Sequence, residues 1–175
     1  MNETLTTIRQ RSSIRAYKNE KLTEEELNIL LEAGLMAPTA ANRQEVHFTV
    51  VNSDNPILEE IEAEKNAFRG LKPRFNFYYD APTVIFLSAD TDFHWGTLDA
   101  GIAVENITLA AQSLGLGSLI IGCIYDALNG DRMEYFREKL QIPEGYKFEI
   151  AIAVGKRDTE KEPHEFDKEK NVSIL

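Results

Sequence analysis

Of the 175 residues only one, Cys123, is a cysteine, which excludes an internal disulfide and any zinc site built from cysteines. Basic residues are scarce. Nineteen Lys and Arg stand against 29 Asp and Glu, for a formal net charge of -10 and a sequence pI near 4.8. Nucleic acid and anionic membranes both call for a basic surface, so neither is expected as the main partner. No apolar run approaches the ~20 residues of a membrane span, and the stretch from Met1 to Ser13 lacks the apolar core of a secretory signal; a cytoplasmic protein is expected. The three histidines, His47, His94 and His164, have no metal-ligand spacing, so no metal site is expected. There is no G-x-S-x-G elbow and no P-loop lysine motif. Gly115-Leu-Gly117 follows a helix instead of opening one and lacks the third glycine of a dinucleotide fingerprint; it reads as a helix C-cap leading into a strand. Without repeats, low-complexity stretches or flexible linkers, residues 1–175 read as a single domain.

What remains is the composition of an ordinary globule, 43% hydrophobic and 27% charged. Thr23-Glu-Glu-Glu26 is a capping box, opening a helix with Leu27, Leu30, Leu31 and Leu35 on one stripe and ending before Pro38. Phe48 to Val51 reads as a strand, and Asn55-Pro56 as cap and first turn of a helix carrying Ile57, Leu58, Ile61 and Phe68. Thr83 to Leu87 is continuously apolar, as in a strand buried on both faces. From Asp99 to Leu114 small and apolar residues surround the whole helix, so it is expected to be buried on all sides, in part by a second subunit. Ser118–Ile121, a helix near Arg132–Leu140, and an alternating strand through Phe148, Ile150, Ile152 and Val154 complete the order. Helices and strands in this sequence predict an α+β or α/β sandwich around a sheet of four or five strands.

Charge placement is the informative feature. Arg9, Arg11, Arg15, Lys18 and Lys21 share one window with a single acid, Glu20, and with Ser12 and Ser13 between them. Guanidinium forks beside hydroxyls suit a phosphate; a solvated basic face is the plainer alternative. In Ala37-Pro-Thr-Ala-Ala-Asn-Arg-Gln44 a helix stops and an amide follows on every second residue. Asn42 and Gln44 can both donate and accept, as the edge of a heterocycle requires, or they can close an Asx-type turn. Phe75, Phe77, Tyr78 and Tyr79 gate a site or fill the core. Lys65, Arg69, Lys72 and Arg74 attract the phosphates of NAD(P)H or form a solvated helix end. Cys123 reads as a small buried residue.

Arg11-Ser-Ser-Ile-Arg15 with Tyr17, Ala37-Pro38 with Asn42 and Gln44, Asp80-Ala-Pro82 before a hydrophobic strand, and the stretch from Asp99 ending Gly-Leu-Gly-Ser-Leu-Ile-Ile-Gly122 occur in that order from about residue 8 to residue 156. Together they resemble the nitroreductase family of flavoproteins. The resemblance implies a three-layer α/β/α sandwich with a central mixed sheet, and an intertwined homodimer with FMN bound at its interface. Arg11, Ser12, Ser13 and Arg15 would hold the phosphate and ribityl chain and reach the pyrimidine edge, Arg15 near N1 and O2. Pro38, Thr39, Ala40, Asn42 and Gln44 would come from the other subunit. Ile121 and Gly122 would lie beside the isoalloxazine, and Lys168 and Lys170 would form a basic pair for the phosphate. It further implies ping-pong transfer of hydride from NAD(P)H through flavin N5 to a nitroaromatic, quinone or similar small acceptor, with no catalytic side chain. An FMN carrier or redox sensor with little turnover would carry the same motifs. The chain departs from the family's Gln-Pro-Trp at Gln44-Glu45-Val46, and from its Gly-Tyr-Pro turn at Gly155-Lys-Arg157. The segment from Ala63 to Tyr79 is short for the family.

Overall fold

The computed structural model describes residues 2–70 and 75–175; Lys72 and Arg74 of the basic group named above lie outside them. Four strands, β1 (His47–Asn52), β2 (Thr83–Asp90), β3 (Leu116–Ile121) and β4 (Tyr146–Lys156), form one sheet in the order β1-β2-β4-β3. All three pairings are antiparallel. The mixed character expected of the sheet is confined to an isolated parallel bridge between Ser13 and Ser118.

Alternation along the strands divides the interior into two cores, which makes the three layers. On one face Val84, Phe86, Leu119, Ile121, Ala151 and Ala153 meet Ile57, Leu58 and Ile61 of α3 (Ile57–Arg69), Leu128 of α5 (Tyr125–Leu128) and Phe136 of α6 (Met133–Lys139). On the other, Ile85, Leu87, Ile152 and Val154 meet Leu30 of α2 (Glu24–Leu35) and Ala100, Ala103, Val104, Ile107 and Ala111 of α4 (Gly96–Ser113). Each fully buried residue such as Ile107 stabilises the fold by about 1.5–3 kcal/mol. The short helices α1 (Glu3–Gln10) and α7 (Lys168–Asn171) bury no residue.

Local chemistry explains the helix ends. Thr23 Oγ1 accepts from the Glu26 N–H while Glu26 accepts from the Thr23 N–H, the reciprocal box read from the sequence. At α3 Pro56 holds the cap position and Asn55 Oδ1 accepts from the Ile57 N–H. Gly115, at φ 73°, ends α4 and turns the chain into β3. Two expectations change. Phe68 leaves the apolar stripe of α3 and is exposed, while Lys65 is buried beneath it. Between Leu87 and Ser88 the β2–β4 register shifts, so Glu149 is an extra residue and Phe148 faces the opposite core from Ile150. Glu149 is buried, accepts from Thr97 Oγ1 at 3.0 Å and lies 3.6 Å from Lys147 Nζ; burial raises its carboxyl above the usual range.

α4 is buried along the sheet and α2 but not all round. Leu98 is 55% exposed, Gly101 is exposed and Ile102, Glu105 and Leu109 are half-buried, on a single stripe continued by the exposed Leu5 and Ile8 of α1.

The segment joining α1 to α2 is laid along the outer edge of the sheet. The Ile14 N–H donates to the Ser118 carbonyl at 2.9 Å, Lys18 N–H to Lys156 at 2.9 Å and Asp158 N–H to Ala16 at 3.0 Å. Two glycines make the approach possible. A Cβ on Gly117 would stand 2.8 Å from Ile14 Cγ2, and one on Gly155 would stand 2.5 Å from Pro82 Cδ and 3.1 Å from Tyr17 Cδ1. Gly155→Ala is therefore expected to cost about 1–3 kcal/mol through overpacking, measured by equilibrium denaturation; a midpoint equal to that of the unaltered protein would show that the edge yields freely.

Candidate functional site

The edge segment brings Arg15 to one wall of a cleft of about 370 Å³, whose floor is Leu119, Ile120, Ile121, Gly122 and Cys123 and whose other wall is Arg69, Phe75, Phe77 and Tyr79. Arg15 lies 5.9 Å from the centroid of the Tyr79 ring. Tyr17, beside it, donates from its hydroxyl to the Ile14 carbonyl at 2.8 Å, and burial raises its phenol above the ordinary value, so it stays a donor. The aromatic wall is a connected set: Phe75 and Phe77 centroids are 5.2 Å apart, and Phe75 and Tyr79 pack edge to face at 5.6 Å. Phe77 and Tyr78 are core residues while Phe75 is 44% exposed, so the group both fills the core and faces the cleft. No acidic side chain lines the cleft among the described residues.

Arg11, Ser12 and Ser13 run along the same edge outside this cleft. Arg11 Nε is 3.8 Å from Glu105, Ser12 Oγ donates to the Lys161 carbonyl at 3.1 Å, and Ser13 forms the bridge to Ser118. All three remain partly accessible.

The second expected element, Pro38 to Gln44, is elsewhere. Thr39 and Gln44 line a different cleft, of about 320 Å³, with Gly34, Met36, Val46, Phe48 and Ala103. Phe48 and Ala103 belong to the core around α4, whereas Leu119 and Ile121 of the first cleft belong to the opposite core. One chain thus places Arg15, Ile121 and Gly122 at a cleft on one face of its sheet and the Thr39–Gln44 loop on the other, with Arg11 at the edge beside Glu105 of α4. The loop is tightly built. Ala41, Asn42 and Gln44 all have φ near +54°, +53° and +53°, a region that costs L-residues roughly 1–2 kcal/mol each. Gln44 N–H donates to Thr39 Oγ1 at 2.9 Å, and Gln44 Nε2 donates to Asn42 Oδ1 at 3.1 Å, so part of each amide's capacity is used within the loop. Arg43 pairs with Asp90 at 3.0 Å and covers the Phe93 ring at 4.1 Å. Both oxygens of Asp99, 2% exposed on α4, accept the Ala40 N–H at 3.1 and 3.0 Å. Pro38 is exposed and lines neither cleft.

Lys168 and Lys170 are exposed on α7 and line neither cleft. Cys123 is exposed, not buried: it follows Gly122 at the end of β3, where the chain leaves the sheet. Partial burial pushes its thiol up, against the lowering pull of Lys65 and Arg69. Sequence reasoning missed Asp99 as a loop anchor. The available signal was an acid in the first turn of an otherwise apolar helix, which is rare unless the acid has a partner. Leu119 and Ile120 gave no signal beyond their strand.

The profile of the nitroreductase family matches residues 8–156. A protein of Archaeoglobus fulgidus, provisionally named an NADH dehydrogenase/NAD(P)H nitroreductase, is 33% identical over 172 residues, covering 95% of this chain and 92% of its own. Among solved structures, a nitroreductase with bound FMN from Desulfitobacterium hafniense is similar with a TM-score of 0.89 and 34% identity, covering 100% of both chains. Another with bound FMN, from Bacteroides fragilis, has a TM-score of 0.88 and 32% identity, again over 100% of both chains. With the ordered motifs lying along β3 and the loop that Asp99 holds, the chain belongs to the nitroreductase family.

Proposed function

We propose that this protein is an FMN-dependent NAD(P)H oxidoreductase that works as a homodimer and reduces a small acceptor such as a nitroaromatic or quinone. The observation that carries the reading is the first cleft: an apolar strand edge ending in Gly122, flanked by Arg15 and Arg69, with no acid on its described lining. Arg15, carried on a segment bonded to the sheet edge, suits a flat ring that gains negative charge, because a cation already in place stabilises developing charge without the reorganisation that solvent requires. The FMN-bound relatives and the NAD(P)H in a relative's name support the choice of ligands.

When bound, FMN supplies the hydride chemistry, and the chain's own residues do the rest. Arg11, Ser12 and Ser13, along the sheet edge, would hold the phosphate end, and Arg15 with the backbone at Ile121–Gly122 would hold the ring. Thr39 to Gln44, on the other side of the sheet, would serve the ring held by the second subunit, and the tail lysines Lys168 and Lys170 would add charge for the phosphate. The uncovered α4 stripe through Leu98, Gly101 and Ile102, with Leu5 and Ile8 beside it, supports a subunit contact there.

Purified protein is expected to be yellow and to bleach with NADH or NADPH. Colourless protein that also refuses added FMN would end this reading, and a bound flavin that neither nucleotide reduces would favour a carrier. Arg15→Ala is expected to weaken FMN retention tenfold or more, about 1.5–3 kcal/mol for a lost charged hydrogen bond, and Lys168→Ala by less, as titrated by flavin fluorescence; equal losses would reverse that ranking.

Gly101→Arg places a long cation in the α4 stripe and is expected to yield flavin-poor monomers by light scattering, whereas an intact dimer would move the contact elsewhere. Asp99→Ala removes the acceptor of the Ala40 N–H and is expected to lower FMN affinity several-fold while the dimer persists; unchanged affinity would mean that the loop holds its own shape.

A further inference from the structure

We propose that the Arg69 end of the cleft selects aromatic electron acceptors that carry an anionic group, such as arene carboxylates, with the Arg69 guanidinium pairing with the anion; this rests on the reading of the cleft as the flavin site. Arg69 is the last residue of α3, where Gly70 at φ 61° ends the helix. It is exposed on the cleft wall, and no described residue forms an ion pair with it. The neighbouring cation is already engaged: Lys65, 4% exposed, lies 3.8 Å from Asp126 and 5.2 Å from the Phe68 ring. Arg15, on the opposite wall, lies 5.9 Å from the Tyr79 ring centroid. Arg69 is thus a guanidinium fork facing a cavity whose described lining has no acid.

The same wall is aromatic. Phe77 is locked in the core and holds Phe75 at 5.2 Å, and Phe75 keeps 44% of its surface accessible beside Tyr79. A fixed ring next to a fork favours a flat arene with a planar anion, since guanidinium meets carboxylate through two parallel hydrogen bonds. A neutral arene gains only the stacking contact. A charge-assisted pair of this kind is typically worth a tenfold or greater difference in affinity.

The test uses the flavin-loaded dimer, with Arg69→Gln and Arg69→Lys beside the unaltered protein. Benzoate and benzamide, which are not reduced, are titrated by their perturbation of the flavin absorption band; 4-nitrobenzoate and 4-nitrobenzamide are compared in the reoxidation half-reaction, and NADH and NADPH in the reduction half-reaction. The benzoate-to-benzamide affinity ratio is expected to fall about tenfold in Arg69→Gln, with 4-nitrobenzoate losing through KM, and Arg69→Lys is expected to retain part of the preference. An unchanged ratio in flavin-loaded, reducible protein overturns this proposal alone. A change confined to the NADPH-to-NADH ratio assigns Arg69 to the donor's phosphate and likewise overturns it. Protein that holds no FMN defeats the flavin reading and this inference with it.

Discussion

The proposed flavin site depends on how closely the segment from Ser12 to Tyr17 lies against the edge formed by β3 and β4. Its backbone borrows hydrogen-bond partners from Ser118 and Lys156, as an added half-strand would. Ile14, 2% exposed, sits over Gly117, and Tyr17 and Pro82 sit over Gly155. Side chains larger than hydrogen at those two positions would lift the segment off the sheet. Arg15 would then lose its place opposite Ile121 and Gly122. The backbone under Arg15 is thus fixed beside a cleft whose described lining has no carboxylate, which is how a protein of net negative charge can offer an anion a local site.

The loop from Thr39 to Gln44 follows the same logic with a different anchor. Three left-handed residues are costly, and the Asp99 carboxylate offsets part of that cost by taking the Ala40 N–H with both oxygens. Asp99 in turn belongs to α4, whose alanines press on the sheet and whose outer stripe is uncovered. α4 thus holds the loop on one side and leaves a largely apolar stripe open on the other, the stripe proposed above for the subunit contact. Because the loop and the Arg15 cleft face opposite sides of the sheet, the proposed flavin site requires a second copy of the chain to bring both elements to one ring.

Much of this was legible in the sequence where one physical rule acts alone. The Thr23–Glu26 box, the Gly115 cap and the small-residue helix around Ala103 are local signals, and the structure carries each of them. The ordered motifs also brought out Arg15, Ile121 and Gly122, which meet in one cleft. What could not be read was whatever depends on long-range register. The apparently regular alternation through Phe148 to Val154 hides the extra residue Glu149, visible only in the pairing with β2. Cys123 looked like a core residue by composition, yet it follows Gly122 just beyond the end of β3. Asp99 looked like a first-turn charge; its partner is 59 residues away in sequence.

The central claim, that each flavin site combines the Arg15 edge of one subunit with the Gln44 loop of the other, is tested most directly by a mixed dimer. One chain carries Arg15→Glu and the other Gln44→Arg, each variant having been checked as a flavin-free homodimer, and the hybrid is isolated with two different tags. One of its sites then joins both altered elements and the other joins both intact ones, so it should retain about half the FMN per dimer of the unaltered protein. A hybrid with no FMN would contradict the account, because that is the outcome if each site draws both elements from a single chain.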